Sequence, residues 1–411
     1  MIKMVGIRLS RLQVCAGFSI FLNALFYIML LLKYGVTREA DNFLYLMTAL
    51  SFLIIFPQVF WGAFLPHYVN GRQSDRFNII KFILKVTFIF GIISIAALNV
   101  LHYLFDVVNI FTASIFCYLL ALQALNEALK KISIAEQKIE STYLADIVNW
   151  MVVLVVLYFA SGNFDPLYSL LVGCGASISY IIFVMREDFV SYSTAVGDQY
   201  PIFIKESFVL KTGAFLYLLK DTFIASILVA GGVGLYATYS YASKAVTMVF
   251  LSIVTPYIER EGNMPGIENK YPDGRRFMLE VLKGVSLPYI LIHAAIILFL
   301  ALSLHFNFHL YFNLNYDHVI IFYLILVPLS LVYVCEHSLN KYSQVTRNFR
   351  VLTYANAICF VSYFCMWLIS QKYGFYWSYL FALMYVVHMI IVYVYLNRGA
   401  RDVKKELKGV I

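Results

Sequence analysis

Residues 220–258 read KDTFIASILVAGGVGLYATYSYASKAVTMVFLSIVTPYI. Two mostly apolar runs flank a short turn, Gly231–Gly234. With its neighbouring residues each run is long enough to cross a bilayer as a helix, which takes about 20 apolar residues. A barrel strand would alternate polar and apolar side chains, and these runs do not. Backbone groups inside hydrocarbon must be satisfied within their own segment, so the stretch is expected to be a helical hairpin across a membrane. Lys220 precedes the turn by 11 residues and Lys244 follows it by 10. At about 1.5 Å of rise per residue, both stand about 15–17 Å from the turn, at one depth.

The rest of the chain repeats this pattern. Of its 411 residues 62% are apolar and 13% charged, and the mean hydropathy is +0.78. An ordinary soluble domain is about 45–50% apolar and about 25% charged. These departures exclude a soluble enzyme, a disordered chain and a nucleic-acid module. Twelve runs have the length and composition of spans: 12–32, 42–65, 82–105, 107–129, 144–160, 166–185, 208–230, 233–256, 285–304, 318–338, 351–370 and 374–397. The first is too long for a signal-peptide core and no A-x-A site follows, so it is read as a retained span. Pro57, Pro66, Pro256 and Pro328 are expected to kink or end spans. The six cysteines lie in apolar runs without a CxxC pair and are read as small buried hydrophobes.

Charge orients these spans. Of the 31 basic residues, 26 fall at the termini and in alternate loops, among them Arg8, Arg72, Lys130, Arg186, Lys270, Arg347 and Arg401. Only Lys33, Arg38 and Lys372 fall on the other side. The positive-inside rule then makes both termini cytoplasmic. The net charge of +8 is an orientation signal and not a nucleic-acid footprint.

The polar stretch near 190–206 divides the chain. The expected organisation is a bundle at 1–190, a cytoplasmic linker at 191–206, and a second bundle with a basic tail at 207–411. Landmarks recur between the halves. Leu65-Pro66-His67-Tyr68 corresponds to Thr255-Pro256-Tyr257, and Thr142-Tyr143-Leu144-Ala145 to Thr353-Tyr354-Ala355. The expected fold is an all-α polytopic membrane protein. Its 12 transmembrane helices form two six-helix bundles related by a pseudo-two-fold axis along the membrane normal.

In Asp221, Gly234-Leu235-Tyr236, Ala242 and Pro256, the stretch 220–258 resembles the span 7–8 unit of Wzx-type polysaccharide flippases of the MOP (multidrug, oligosaccharidyl-lipid, polysaccharide) superfamily. Gly35, Ala40-Asp41-Asn42-Phe43 and Ala63-Phe64-Leu65-Pro66-His67-Tyr68 are similar to span 2 of the lipid-linked precursor flippases of that superfamily. The lipid II flippases carry basic residues inside span 2, where this chain has Ile54-Ile55-Phe56. That departure favours a lipid-linked glycan other than a peptidoglycan precursor. The resemblance implies a bacterial inner-membrane flippase. Its substrate would be an undecaprenyl-diphosphate-linked oligosaccharide, for O-antigen or another surface polysaccharide, moved from the cytoplasmic to the periplasmic leaflet. It implies membrane lipids as surroundings, and a polysaccharide polymerase and chain-length regulator as partners.

An ionisable residue at mid-bilayer costs on the order of 3 kcal/mol or more, so it is a functional candidate. Lys220, Asp221 and Lys244 qualify, and together they carry one net positive charge. They are read either as a site for the substrate pyrophosphate or as an ion pair locking two spans together. Asp41 is read as a gating or substrate contact, or as an acid stabilised by a helix dipole. Glu127, Lys130 and Lys131 are expected to form a solvated face. His293 and His388 are read as hydrogen-bonded packing or as proton carriers. His305 and His309, four apart, are weak metal candidates, and no metal site is expected. Gly173 and Gly175 are expected to let helices approach. No GxxxxGK[ST], HExxH or GxSxG motif occurs, so no cofactor and no catalytic residue is expected, and coupling would draw on an H+ or Na+ gradient. The alternatives are a cation-coupled drug antiporter of the same superfamily, and a polysaccharide polymerase or membrane glycosyltransferase. The short, nearly uncharged outward loops weigh against the enzyme.

Overall fold

The computed structural model describes residues 11–54, 110–135, 138–160, 166–190, 219–262, 270–306, 316–346, 349–373 and 377–408, with a few isolated helical positions between them. Ten helices are bounded within these: α1 Arg11–Tyr34, α2 Arg38–Leu53, α3 Ile110–Ala135, α4 Ile139–Phe159, α5 Pro166–Val190, α6 Leu235–Gly262, α7 Gly274–His305, α8 Tyr316–Val345, α9 Phe349–Tyr373 and α10 Trp377–Lys408. A further helical run occupies 219–231. Among the described residues, eight helices are long and apolar enough to cross a membrane. They coincide with the expected spans 1, 5, 6 and 8–12. Spans 4 and 7 are helical where described and span 2 as far as Leu53, whereas span 3 lies almost wholly outside the described residues.

Burial is inverted relative to a soluble protein. Phe159 is 80% exposed and Phe299 71%, while Glu336 is 5% exposed and His388 0%. Lipid solvates the apolar exterior, and polar side chains find partners inside. The chain is thus a multi-pass, all-α membrane protein.

Two compact units form. Unit 1 comprises Met1–Met29 and Ala49–Lys211; unit 2 comprises Leu30–Thr48 and Thr212–Ile411. The chain therefore leaves unit 1 near the end of α1 and re-enters it within α2. In unit 1, α3, α4 and α5 pack together around Leu119, Ala124, Val153, Leu157 and Ile181. Gly173 of α5 allows a close approach to α4. A Cβ there would stand 2.7 Å from the Asn149 carbonyl oxygen. Gly175 faces open space, so only the first of the two expected contact glycines makes the contact.

Unit 2 is built on α6–α10 and the run 219–231. Its core holds the fully buried rings of Phe277, Tyr289, Phe322, Tyr323 and Tyr363. Their hydroxyls are paired: Tyr289 Oη donates to Ser330 Oγ at 2.7 Å, and Tyr323 Oη meets His293 Nδ1 at 2.5 Å. Of the prolines expected to kink or end spans, two lie inside helices and do not end them. Pro256 lies inside α6 and Pro328 inside α8. Near Pro328, which has no amide hydrogen for its own turn, the Ile325 carbonyl accepts the Tyr385 hydroxyl of α10 at 2.5 Å. Pro57 and Pro66 lie outside the described residues. Cys174 and Cys359 are buried as expected, but Cys365 is exposed.

Candidate functional site

The ionisable residues inside unit 2 assemble from four segments. The run 219–231 supplies Lys220, 6% exposed, with Asp221 half-buried beside it. From α8 come Tyr333 and Glu336, from α9 Tyr363, and from α10 His388. The spacing on α8 follows from helix geometry: positions three apart share a face, so Tyr333 and Glu336 point the same way. Glu336 Oε2 lies 2.5 Å from His388 Nδ1, and Tyr363 Oη lies 3.0 Å from His388 Nε2. The Tyr333 ring meets the His388 ring edge-on, with centroids 4.5 Å apart. The Lys220 ammonium stands 5.2 Å from the centroid of the same Tyr333 ring, a cation–π distance. Lys220 lies within electrostatic reach of Asp221, Cys359 and Glu336. A buried carboxylate thus has an ammonium and an imidazole around it.

Lys220 is therefore enclosed inside unit 2, with aromatic and acidic surroundings. Lys244 stands at an exposed position of α6. Equal depth along two helices does not settle which way each side chain points. A 100° step per residue leaves one buried and the other exposed.

Asp41 belongs to a second arrangement, also within unit 2. Gly35, at φ 62°, closes α1 in the left-handed conformation that glycine tolerates best. Thr37 then caps α2, its Oγ1 accepting the Ala40 amide at 3.3 Å. Asp41 is thereby spared for another helix. Its carboxylate accepts the amides of Gly234 at 2.5 Å and Ala237 at 2.6 Å, at the N-terminus of α6. Asp41 is 2% exposed, and the donors and dipole of α6 stabilise its charge. Around it, Thr48 Oγ1 bonds the Tyr236 hydroxyl, and the Tyr241 hydroxyl donates to the Gly35 carbonyl at 3.4 Å. Gly234 has φ 77°, and a Cβ there would meet Val36 Cγ1 at 2.5 Å. Asp41 lies in the first turn of α2 and also accepts two amides at the N-terminus of α6, so it stands at the positive ends of two helix dipoles.

In unit 1 the expected solvated face at 127–131 is in part a half-buried ion pair. Lys130 Nζ lies 2.5 Å from Asp146 Oδ1 and 3.2 Å from Glu127 Oε1, with its side chain 14% exposed. The fold brings α4 beside α3, and Asp146 draws Lys130 inward. Between α6 and α7, buried Glu261 accepts Lys270 Nζ at 2.8 Å and Tyr271 Oη at 3.0 Å. The hydrogen bond to Glu261 holds the Lys270 ammonium protonated above its ordinary range. His293 is buried against Tyr289 and Tyr323, as expected for packing. His305 is exposed, while His309 lies outside the described residues.

Glu336 and Asp146 are the functional-grade residues that the span assignment missed. Each lies two residues inside an expected span end, where a charge is read as boundary. Both helices extend beyond those ends: α8 runs to Val345 and α4 begins at Ile139. An acid within an apolar run was the available signal.

No family model and no curated protein matches the sequence. Solved structures do. The inward-facing conformation of a multidrug resistance MATE family transporter of the MOP superfamily aligns with 99% of this chain and 97% of its own, with TM-score 0.69 and 13% identity. The lipid II flippase MurJ, in an inward closed conformation, aligns with 96% of this chain and 87% of its own, with TM-score 0.70 and 14% identity. A MOP superfamily transporter from Pyrococcus furiosus, described as having a binding pocket of reverse polarity, aligns with 96% of this chain and 95% of its own, with TM-score 0.61 and 14% identity. The chain has the all-α fold of the MOP superfamily transporters it resembles.

Proposed function

We propose that this protein is a flippase that moves a lipid-linked anionic glycan between the leaflets of a bacterial inner membrane by alternating access, with both termini cytoplasmic. The observation that carries this reading is the end-to-end likeness to the lipid II flippase MurJ. It agrees with the resemblance of residues 34–70 and 220–258 to lipid-linked glycan flippases. Hydrophobic Ile54-Ile55-Phe56 within span 2 favours a glycan other than a peptidoglycan precursor, on an undecaprenyl diphosphate carrier. No bond is made or broken in this reaction. The protein lowers the cost of carrying sugars and a pyrophosphate through about 30 Å of hydrocarbon. The isoprenoid tail remains in the bilayer. A polymerase and a chain-length regulator would act on the delivered unit.

A second reading, a cation-coupled small-molecule antiporter, is favoured by the equally extensive likeness to a multidrug resistance MATE transporter. Reconstitution separates the two. Proteoliposomes are loaded with an undecaprenyl-diphosphate-linked oligosaccharide, and its exposure on each face is read with a membrane-impermeant lectin or glycosidase. Equilibration across the bilayer that depends on the protein is expected. Uptake of a cationic dye with no movement of the lipid-linked glycan would overturn the flippase reading in favour of the antiporter. In the native host, deletion is expected to deplete the surface polysaccharide and accumulate its lipid-linked unit on the cytoplasmic side.

A further inference from the structure

We propose that the end of α10, positions 398–408, is a basic interfacial helix that binds the anionic phospholipid headgroups of the adjoining leaflet. The side of the membrane, cytoplasmic, follows the orientation proposed above; the binding itself rests on α10 alone.

α10 is one continuous helix from Trp377 to Lys408. Its 32 residues cover about 48 Å at about 1.5 Å each, whereas the hydrocarbon core takes about 30 Å. The run apolar enough to cross that core ends at Asn397. No Asp, Glu, Lys or Arg occurs from 377 to 397. Positions 398–408 then hold five basic and two acidic residues, a net charge of +3. The helix thus carries this charge about 16 Å past the end of the span.

The order of the charges separates this extension from an ordinary solvated helix. Such a helix gains from opposite charges four residues apart and loses from like ones. Of the four ionic pairs with that spacing, three are alike: Arg401/Lys405, Asp402/Glu406 and Lys404/Lys408. Only Arg398/Asp402 is opposite. Charge is therefore segregated and not balanced within the helix. At about 100° per residue, positions Arg398, Arg401, Lys405 and Lys408 fall within an arc of about 80°. Ala400, Val403 and Leu407 fall within about 60° on the other side of the helix. A basic stripe and an apolar stripe on one helix make an element of the membrane surface.

Charge complementarity selects the occupant. A like-charged stripe calls for anions from outside the chain, and phosphates are the anions that border a span end. Positions 398 and 401 stand within about 6 Å of that end, which is the depth of the polar headgroup layer. The negative potential of an anionic leaflet reaches them, since it persists over about 8–10 Å. Gly399, two residues past the span end, supplies the joint at which the extension lies down on the surface. The apolar stripe then enters the acyl boundary while the basic positions remain in the headgroup layer.

The test uses the full chain in a background without native cysteines, with one spin label at Val403→Cys on the apolar stripe. The protein is placed in nanodiscs of phosphatidylcholine alone, or of phosphatidylcholine with about one third phosphatidylglycerol. Oxygen partitions into lipid and a nickel chelate stays in water, so the ratio of their effects on the label reads its immersion. With phosphatidylglycerol the ratio should rise at least about threefold, and about 1 M salt should cancel the rise by shortening the Debye length to about 3 Å. Replacing Arg398, Arg401, Lys405 and Lys408 together by Gln should abolish the rise and leave the melting temperature unchanged. Arg398→Lys/Arg401→Lys keeps the charge and should keep the rise. A ratio low in both lipids, as for a face that takes a soluble acidic partner, would overturn the proposal. So would a ratio equally high in both, or a rise that survives the loss of the four charges. A lipid-dependent rise without glycan flipping would leave this inference standing and remove the lipid-linked reading. Flipping without such a rise would do the reverse.

Discussion

At the scale of single residues, the most consequential contact is the one that gives Glu336 its partners. A buried charge costs several kcal/mol unless it is paired and hydrogen-bonded. Glu336→Ala would leave Lys220 buried without that carboxylate, at a cost of roughly 3–5 kcal/mol. The expected outcome is a clear loss of protein level and of thermal stability in detergent. Lys220→Met should do similar harm by stranding the acid. The double variant Lys220→Met/Glu336→Gln removes both charges, and it should recover level and melting temperature relative to either single change. A double variant less stable than both single ones would mean that the pair is not the main partner of either residue. Asp41 obeys the same rule with different partners. Backbone amides of α6 take the place of a basic side chain, so the charge needs no basic neighbour.

At the scale of helices, side-chain direction matters more than position along the sequence. Gly173 and Gly175 lie on one helix, yet only Gly173 is pressed against a neighbour, within 2.9 Å of Asn149 Oδ1 for an added Cβ. Gly173→Ala should therefore push α4 and α5 apart and cost about 1–3 kcal/mol. Gly175→Ala meets nothing within 4 Å. It should be neutral, or stabilising by up to about 1 kcal/mol, because alanine restricts the unfolded chain. Melting temperatures of the two variants in the same detergent check this contrast. Equal losses would mean that helix propensity, and not packing, governs both sites. The connection between α1 and α2 shows the same logic. A glycine C-cap and a threonine N-cap complete each helix locally, which releases Asp41 to complete a third.

At the scale of the molecule, the chain alternates between two units early on, with Leu30–Thr48 joining unit 2 while its flanks belong to unit 1. The basic asymmetry of the loops carries the proposed orientation of the whole. Single cysteines in a cysteine-free background test it: Val233→Cys, in the turn before α6, should react with a membrane-impermeant thiol reagent added from the periplasm. Arg276→Cys, at the start of α7, should react only after permeabilisation. Both positions are exposed. Periplasmic labelling at 276 would reverse the orientation.

Helix type and the eight spans that the described residues bear out were legible in the chain because each depends on local composition. Hydrocarbon demands a long apolar run with internal hydrogen bonds, and loops record the charge bias directly. The candidacy of Lys220 and Asp41 was legible too, since an ionisable residue in or beside an apolar run is conspicuous. Their partners were not. Lys220 and His388 lie 168 residues apart, and Asp41 and Ala237 lie 196 apart. Only the packing of unit 2 decides that Glu336 meets His388 and that Lys220 is buried while Lys244 is exposed. The reason is angular: depth in the membrane follows from counting residues, but facing depends on how each helix is rotated about its own axis. That rotation is set by the neighbours it packs against.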